Sequence, residues 1–126
     1  MSNLPPGYED DGFSIELKTS GGSMTLRLSG EADRGAVPRL QDYVERLHAQ
    51  LQRLRAREVL VDLRDLAFMN SSCFRVLIHW VVEITKLKPD ARYRLILRHD
   101  PDVLWQRQSY LSLQGFAPDV VSLQSD

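Results

Sequence analysis

A chain of 126 residues, 43% hydrophobic and 26% charged, has room for one core and the composition of an ordinary globular domain. Its formal net charge of −1 argues against a nucleic-acid partner, because that class of binding rests on Lys and Arg neutralising phosphates. Cys73 is the only cysteine, so no intrachain disulfide can form, and no apolar run approaches the ~18 residues of a membrane span.

Residues 1–12 are polar and acidic and contain Pro5-Pro6-Gly7. They lack the basic and apolar regions of a signal peptide and read as a flexible leader to a domain over 13–126. A cytoplasmic protein is therefore expected. Phe13, Ile15 and Leu17 alternate with Ser14, Glu16 and Lys18, the period of a half-buried strand. Gly21-Gly22 marks a hairpin turn, and Met24, Leu26 and Leu28 alternate in a second strand. That strand is expected to end in a loop at 30–35, which is rich in turn formers.

Leu40, Val44, Leu47, Leu51 and Leu54 step by four and three, predicting a helix from about 36 to 57 with one apolar stripe. Pro38 is tolerated in its first turn, where the missing N–H has no helical partner. Val59, Leu60, Val61 and Leu63 then form a nearly unbroken apolar run, the mark of a strand covered on both faces. After a short loop a helix is expected over 71–87, stopped by Pro89. Tyr93, Leu95 and Leu97 alternate in a strand over 92–97, followed by a turn at 99–102. A third helix over 103–113, stopped by Gly115, leads to a last short strand at 120–123. Strands alternating with helices at this spacing imply βαβ units and parallel pairing. The fold class is α/β: an N-terminal β-hairpin leading into a mostly parallel sheet with three helices on one face.

The candidate site is the junction Phe68-Met69-Asn70-Ser71-Ser72-Cys73. A hydroxyl at a helix N-terminus, beyond the C-terminal end of a central strand, occupies the usual functional edge of an open α/β sheet. Asn70 or Ser71 can cap the helix. Apolar residues sweep over half the circumference of this helix: either two neighbouring helices cover its flanks, or the side carrying Arg75, Ile78 and Val82 is a patch for docking another protein. Glu31, Asp33, Asp100 and Asp102 fall at the ends of neighbouring strands. Solvated loop carboxylates are the expected reading, and no metal is assigned to them. His48, His79 and His99 have no ligand spacing. No phosphate-binding glycine loop, dinucleotide fingerprint or nucleophile elbow is present, so no catalytic residue and no cofactor are expected. Cys73 is read as a packed small residue rather than a nucleophile.

Gly30-Glu31-Ala32-Asp33, the run Val59 to Leu63, and Phe68-Met69-Asn70-Ser71-Ser72 together resemble the STAS domain of anti-sigma-factor antagonists, the SpoIIAA-like family. The resemblance implies phosphorylation of the first serine of the pair, Ser71, with Ser72 the second choice. It also implies a partner surface of Asp33, Asn70, Ser72, Arg75, Ile78 and Val82. The partners implied are a serine/threonine kinase or anti-sigma factor of the HPK-like type, and a PP2C-type phosphatase; a second copy of the chain is a further candidate. The unphosphorylated form would bind the kinase and release a downstream target. Two positions depart from the family pattern: Asn70 stands where Asp is usual, and Cys73 where Gly is usual. Asp62-Leu63-Arg64 with Asn70-Ser71-Ser72 also resembles the SiaC-like regulatory phosphoproteins, which control a diguanylate cyclase. A non-switching interaction module, with Ser71 no more than a cap, is the plainer alternative.

Overall fold

A computed structural model describes residues 4–10, 12–21 and 23–125. Its strands are β1 (Tyr8–Glu9), β2 (Phe13–Ser20), β3 (Ser23–Ala32), β4 (Glu58–Asp62), β5 (Leu66–Met69), β6 (Arg94–His99) and β7 (Val121–Ser125). Its helices are α1 (Val37–Leu54), α2 (Ser71–Thr85) and α3 (Leu104–Phe116). The sheet runs β1-β2-β3-β4-β6-β7, antiparallel up to β3 and parallel from there on. The parallel strands advance in one direction, so right-handed crossovers lay α1, α2 and α3 on one face.

Burial divides the two faces. Leu26, Val59, Val61, Leu95, Leu97 and Val121 point under the helices and are buried. They meet Leu40, Leu47 and Leu51 of α1, Trp80, Val81 and Ile84 of α2, and Tyr110 and Leu113 of α3 within one core. Among the described residues no helix covers the opposite face. There Glu16, Arg27, Asp62 and Arg98 stand side by side in cross-strand register, alternating in sign. Such alternation lets neighbours offset one another's charge and keeps the face wet. Arg64 holds Asp62 through two side-chain hydrogen bonds, 3.0 and 2.9 Å, and Arg27 pairs with Asp65.

Several boundaries differ from the sequence reading. Within the segment read as a leader, Tyr8–Glu9 pairs with β2, Pro5 is buried, and the Tyr43 hydroxyl donates to the Pro5 carbonyl at 3.1 Å. Met1 to Asn3 lie outside the described residues, as do Asp11 and Gly22, the second glycine of the hairpin turn. The segment 30–32 is strand rather than loop: β3 kinks at Gly30, whose φ is +91°, and continues to Ala32. Gly115 lies inside α3 and does not stop it. His99 belongs to β6 and is buried, where a turn was expected.

Besides β1, the sequence pattern missed β5. β4 pairs with β3 at residues 25–27, the chain turns at Arg64-Asp65, and β5 then pairs with the same strand at residues 30–32. Both segments thus use one edge of β3, split by the kink at Gly30. This arrangement carries the chain to Asn70 at the top of the sheet.

Candidate functional site

Two strands deliver the site. The Asn70 N–H donates to the Ala32 carbonyl at 2.7 Å, which fixes the start of α2 against the end of β3. Asn70 has extended backbone, and its side-chain oxygen accepts from the Ser72 N–H at 2.8 Å. That is an N-cap, which satisfies one of the helix's unpaired donors. Capping therefore falls to Asn70. The Ser71 side chain, the first residue of α2, is exposed, and Ser72 is half-buried.

Asp33 lies beside this helix start. Its carbonyl accepts from the Cys73 thiol at 3.2 Å, and its carboxylate accepts from the Gly35 N–H at 2.9 Å, turning the chain into α1. Cys73 is fully buried. Burial, aided by the Asp33 charge, pushes its thiol up to about 11. A thiol that resists ionisation and faces no solvent is a packing residue, as the sequence reading had it.

Arg75 is exposed one turn beyond Ser71, while Ile78 and Val82 on the same line are half-buried. The apolar relief near the serines lies elsewhere. A groove of about 200 Å³ runs between α1 and α2, lined by Val37, Gln41, Val44, Ser72, Arg75 and His79 among others. Sequence reasoning missed it because its walls come from two helices. Half-buried Val37 and exposed Gln41 become meaningful only once α1 is placed beside α2. Phe68, expected from the motif to precede the serines, is 45% exposed and adds an apolar side chain to the same edge.

The acidic residues divide into two places. Glu31 and Asp33 share a cleft with Asp10, of about 520 Å³. Asp100 and Asp102 sit in the turn before α3, where the Asp100 carboxylate accepts from the Asp102 N–H. Among the described residues no three His, Cys, Asp or Glu side chains are grouped to hold a metal ion. Trp105 packs edge-on to Tyr110, whose ring is fully buried.

A family model described as "Mlab, STAS domain" matches residues 15–90. The chain belongs to the STAS domain family. Solved structures agree on the fold of this STAS domain. An anti-sigma factor antagonist from Mycobacterium paratuberculosis superposes with a TM-score of 0.63 at 15% identity, covering 87% of this chain and 85% of that one. The Bacillus cell fate determinant SpoIIAA in its phosphorylated form gives 0.60 at 18% identity, covering 89% and 90%. SpoIIAA in its unphosphorylated form gives 0.54 at 15% identity, covering 89% and 88%. No curated protein matches this chain in sequence. Among the described residues, no helix is long and apolar enough to cross a membrane.

Proposed function

We propose that this STAS domain is a cytoplasmic protein-binding regulator, without enzyme activity of its own, that is switched by phosphorylation of Ser71. The observation that carries the reading is the division of labour at the start of α2. Asn70 caps the helix, and the exposed Ser71 hydroxyl is left for another protein to reach. In this reading a serine/threonine kinase or anti-sigma factor docks on the edge formed by Asp33, Asn70, Ser72 and Arg75 and on the groove between α1 and α2. A PP2C-type phosphatase restores the hydroxyl. The structural neighbours support it: one is an anti-sigma factor antagonist and one is SpoIIAA in its phosphorylated form.

The energetics favour a switch read by the partner over one that remodels the fold. A phosphoryl group adds roughly −1.5 to −2 charges. Its interaction with an exposed helix N-terminus is worth only ~0.3–1 kcal/mol, too little to rearrange the core. Buried in a dry interface without a counter-charge, the same group costs several kcal/mol, enough to release a partner. Phosphopeptide mapping of the protein from its native cells tests the first half: phosphate is expected on Ser71. Titration of the purified kinase partner with Ser71→Ala and Ser71→Asp tests the second: at least tenfold weaker binding of Ser71→Asp is expected. Absence of phosphate at residues 71 and 72, together with equal binding, would leave a non-switching interaction module.

A further inference from the structure

We infer that Arg75 is the acceptor, within this chain, of a phosphate on Ser71, so that modification both adds an anion and withdraws a cation from the edge a partner meets. The inference rests on the switch proposed above and deepens it. Ser71 and Arg75 are four residues apart on α2, and both are exposed. Residues at that spacing stand one above the other on a helix, with Cβ atoms about 5–6 Å apart. Helical side chains lean toward the N-terminus, so Arg75 reaches back over the turn that starts at Ser71. An anion N-terminal to its cation is also the more favourable order at this spacing. A guanidinium presents its N–H donors in a planar fork that matches phosphate oxygens.

The guanidinium is uncommitted. Among the described residues it makes no hydrogen bond and no ion pair. Arg27 and Arg64, by contrast, each hold a carboxylate, and Arg92 and Arg94 hold backbone carbonyls. Glu45 of α1 shares the groove with Arg75 and accepts from Gln41 at 3.3 Å, so it is the carboxylate that competes for the cation. His79 lies one turn further along α2 and lines the same groove. Asp33 flanks the helix start but spends its carboxylate on the Gly35 N–H, and Arg34 beside it is the rival cation for the phosphate. Without phosphate, Arg75 is a lone cation on the lip of the groove. A phosphoryl group of roughly −1.5 to −2 charges paired with it leaves the edge net negative. A partner fitted to the first state meets the reversed sign in the second.

Phosphoserine placed at position 71 of the full chain through the genetic code makes the test independent of whether cells modify Ser71. The second ionisation of the phosphate, ordinarily at about pH 6, is followed by phosphorus nuclear magnetic resonance. A neighbouring cation favours the dianion and lowers the midpoint. The midpoint is expected to be lower by about 0.3 pH unit or more with Arg75 in place than in Arg75→Gln. Arg75→Lys, which keeps the charge and loses the fork, should retain part of that difference. Equal midpoints with Arg75 and with Arg75→Gln overturn the inference. So does a difference that Arg34→Gln abolishes as fully as Arg75→Gln, which marks a general effect of net charge. Arg34 and Arg75 are both exposed, and unchanged circular dichroism shows that each variant folds. Failure of this test leaves the proposed switch standing, whereas a chain never phosphorylated in its own cells removes the switch and leaves the measured pairing.

Discussion

Nδ1 of His48 lies 2.6 Å from the hydroxyl of Tyr93, which joins α1 to the start of β6. The Trp80 indole N–H donates to the same hydroxyl at 2.6 Å. Trp80 can only donate, so the Tyr93 oxygen accepts from it and keeps its own proton and a second lone pair for His48. Burial lowers the His48 pKa from its ordinary value near 6.5, partly opposed by the Glu83 charge on α2, itself paired with Lys86. A lowered folded-state pKa means that the unfolded chain takes up the proton first as pH falls. The contribution of this residue to stability is present above pH ~6.5 and is lost as pH drops through the folded value. Denaturant unfolding at pH 7.5, 6.5 and 5.5 should show that loss in the wild type, and His48→Gln should flatten it. Tyr93→Phe should cost about 1–3 kcal/mol for each buried group it leaves without a partner.

The kink in β3 makes a second prediction. Gly30 has φ +91°, and a Cβ there would lie 2.1 Å from the Gly12 carbonyl oxygen. That oxygen is held in place, accepting from the Glu31 N–H at 2.6 Å. Gly30→Ala therefore meets both an unfavourable backbone region and a backbone clash that no rotamer relieves. A loss of about 3 kcal/mol or more is expected, read as a thermal midpoint many degrees below wild type. Gly21→Ala is the control. It also has positive φ, 54°, but no atom within 4 Å of the added carbon, so its cost should be about 1 kcal/mol.

The contrast between those glycines bears on what the sequence could disclose. The strand Glu58–Asp62 and the helix beginning at Ser71 were legible because each has a strong local cause: three apolar residues in a row, and a cap followed by a helical stripe. The exposed serine followed from those two alone. β5 was not legible. Three of its four residues pair with β3 more than thirty positions earlier in the chain, a long-range cause that leaves no local period. β1 was hidden in the same way, since a two-residue strand in a polar segment is set by its partner β2. Gly115 misled because a glycine near a helix end stops the helix only if the backbone there turns left-handed, and α3 carries on to Phe116. The apolar docking patch within the expected partner surface was read from one helix, as Arg75, Ile78 and Val82. The groove beside the serines needs α1 as its second wall, and helix pairing cannot be read from a single stripe.

Gln106 carries a third prediction. It is fully buried on α3, and its amide donates to the carbonyls of Leu63 and Leu66 at 2.9 and 2.7 Å. Its oxygen accepts from the Asp100 N–H at 3.0 Å. One side chain thus pins the turn between β4 and β5, the turn that aims the chain at Asn70. Gln106→Leu keeps the volume but takes one donor from each of the two carbonyls, of which Leu63 keeps the Leu66 N–H, and leaves the Asp100 N–H without its acceptor, at an expected cost of about 2–4 kcal/mol. Amide exchange should speed up first at residues 63–69 rather than uniformly, because the turn loses its tether while the core strands keep theirs.

The last prediction separates structure from signalling at neighbouring positions. Asn70→Ala removes the cap bond to the Ser72 N–H and should cost about 1 kcal/mol, with fraying confined to the first turn of α2. Ser71→Ala removes an exposed hydroxyl that does no capping and should change stability by less than about 0.5 kcal/mol. Urea unfolding of the two variants measures this directly. If Ser71→Ala proved as costly as Asn70→Ala, the hydroxyl would be serving the helix, and its availability to a kinase would lose its structural basis. A small stability change for Ser71→Ala, combined with loss of phosphate labelling, would place the role of this side chain outside the fold and in what binds to it.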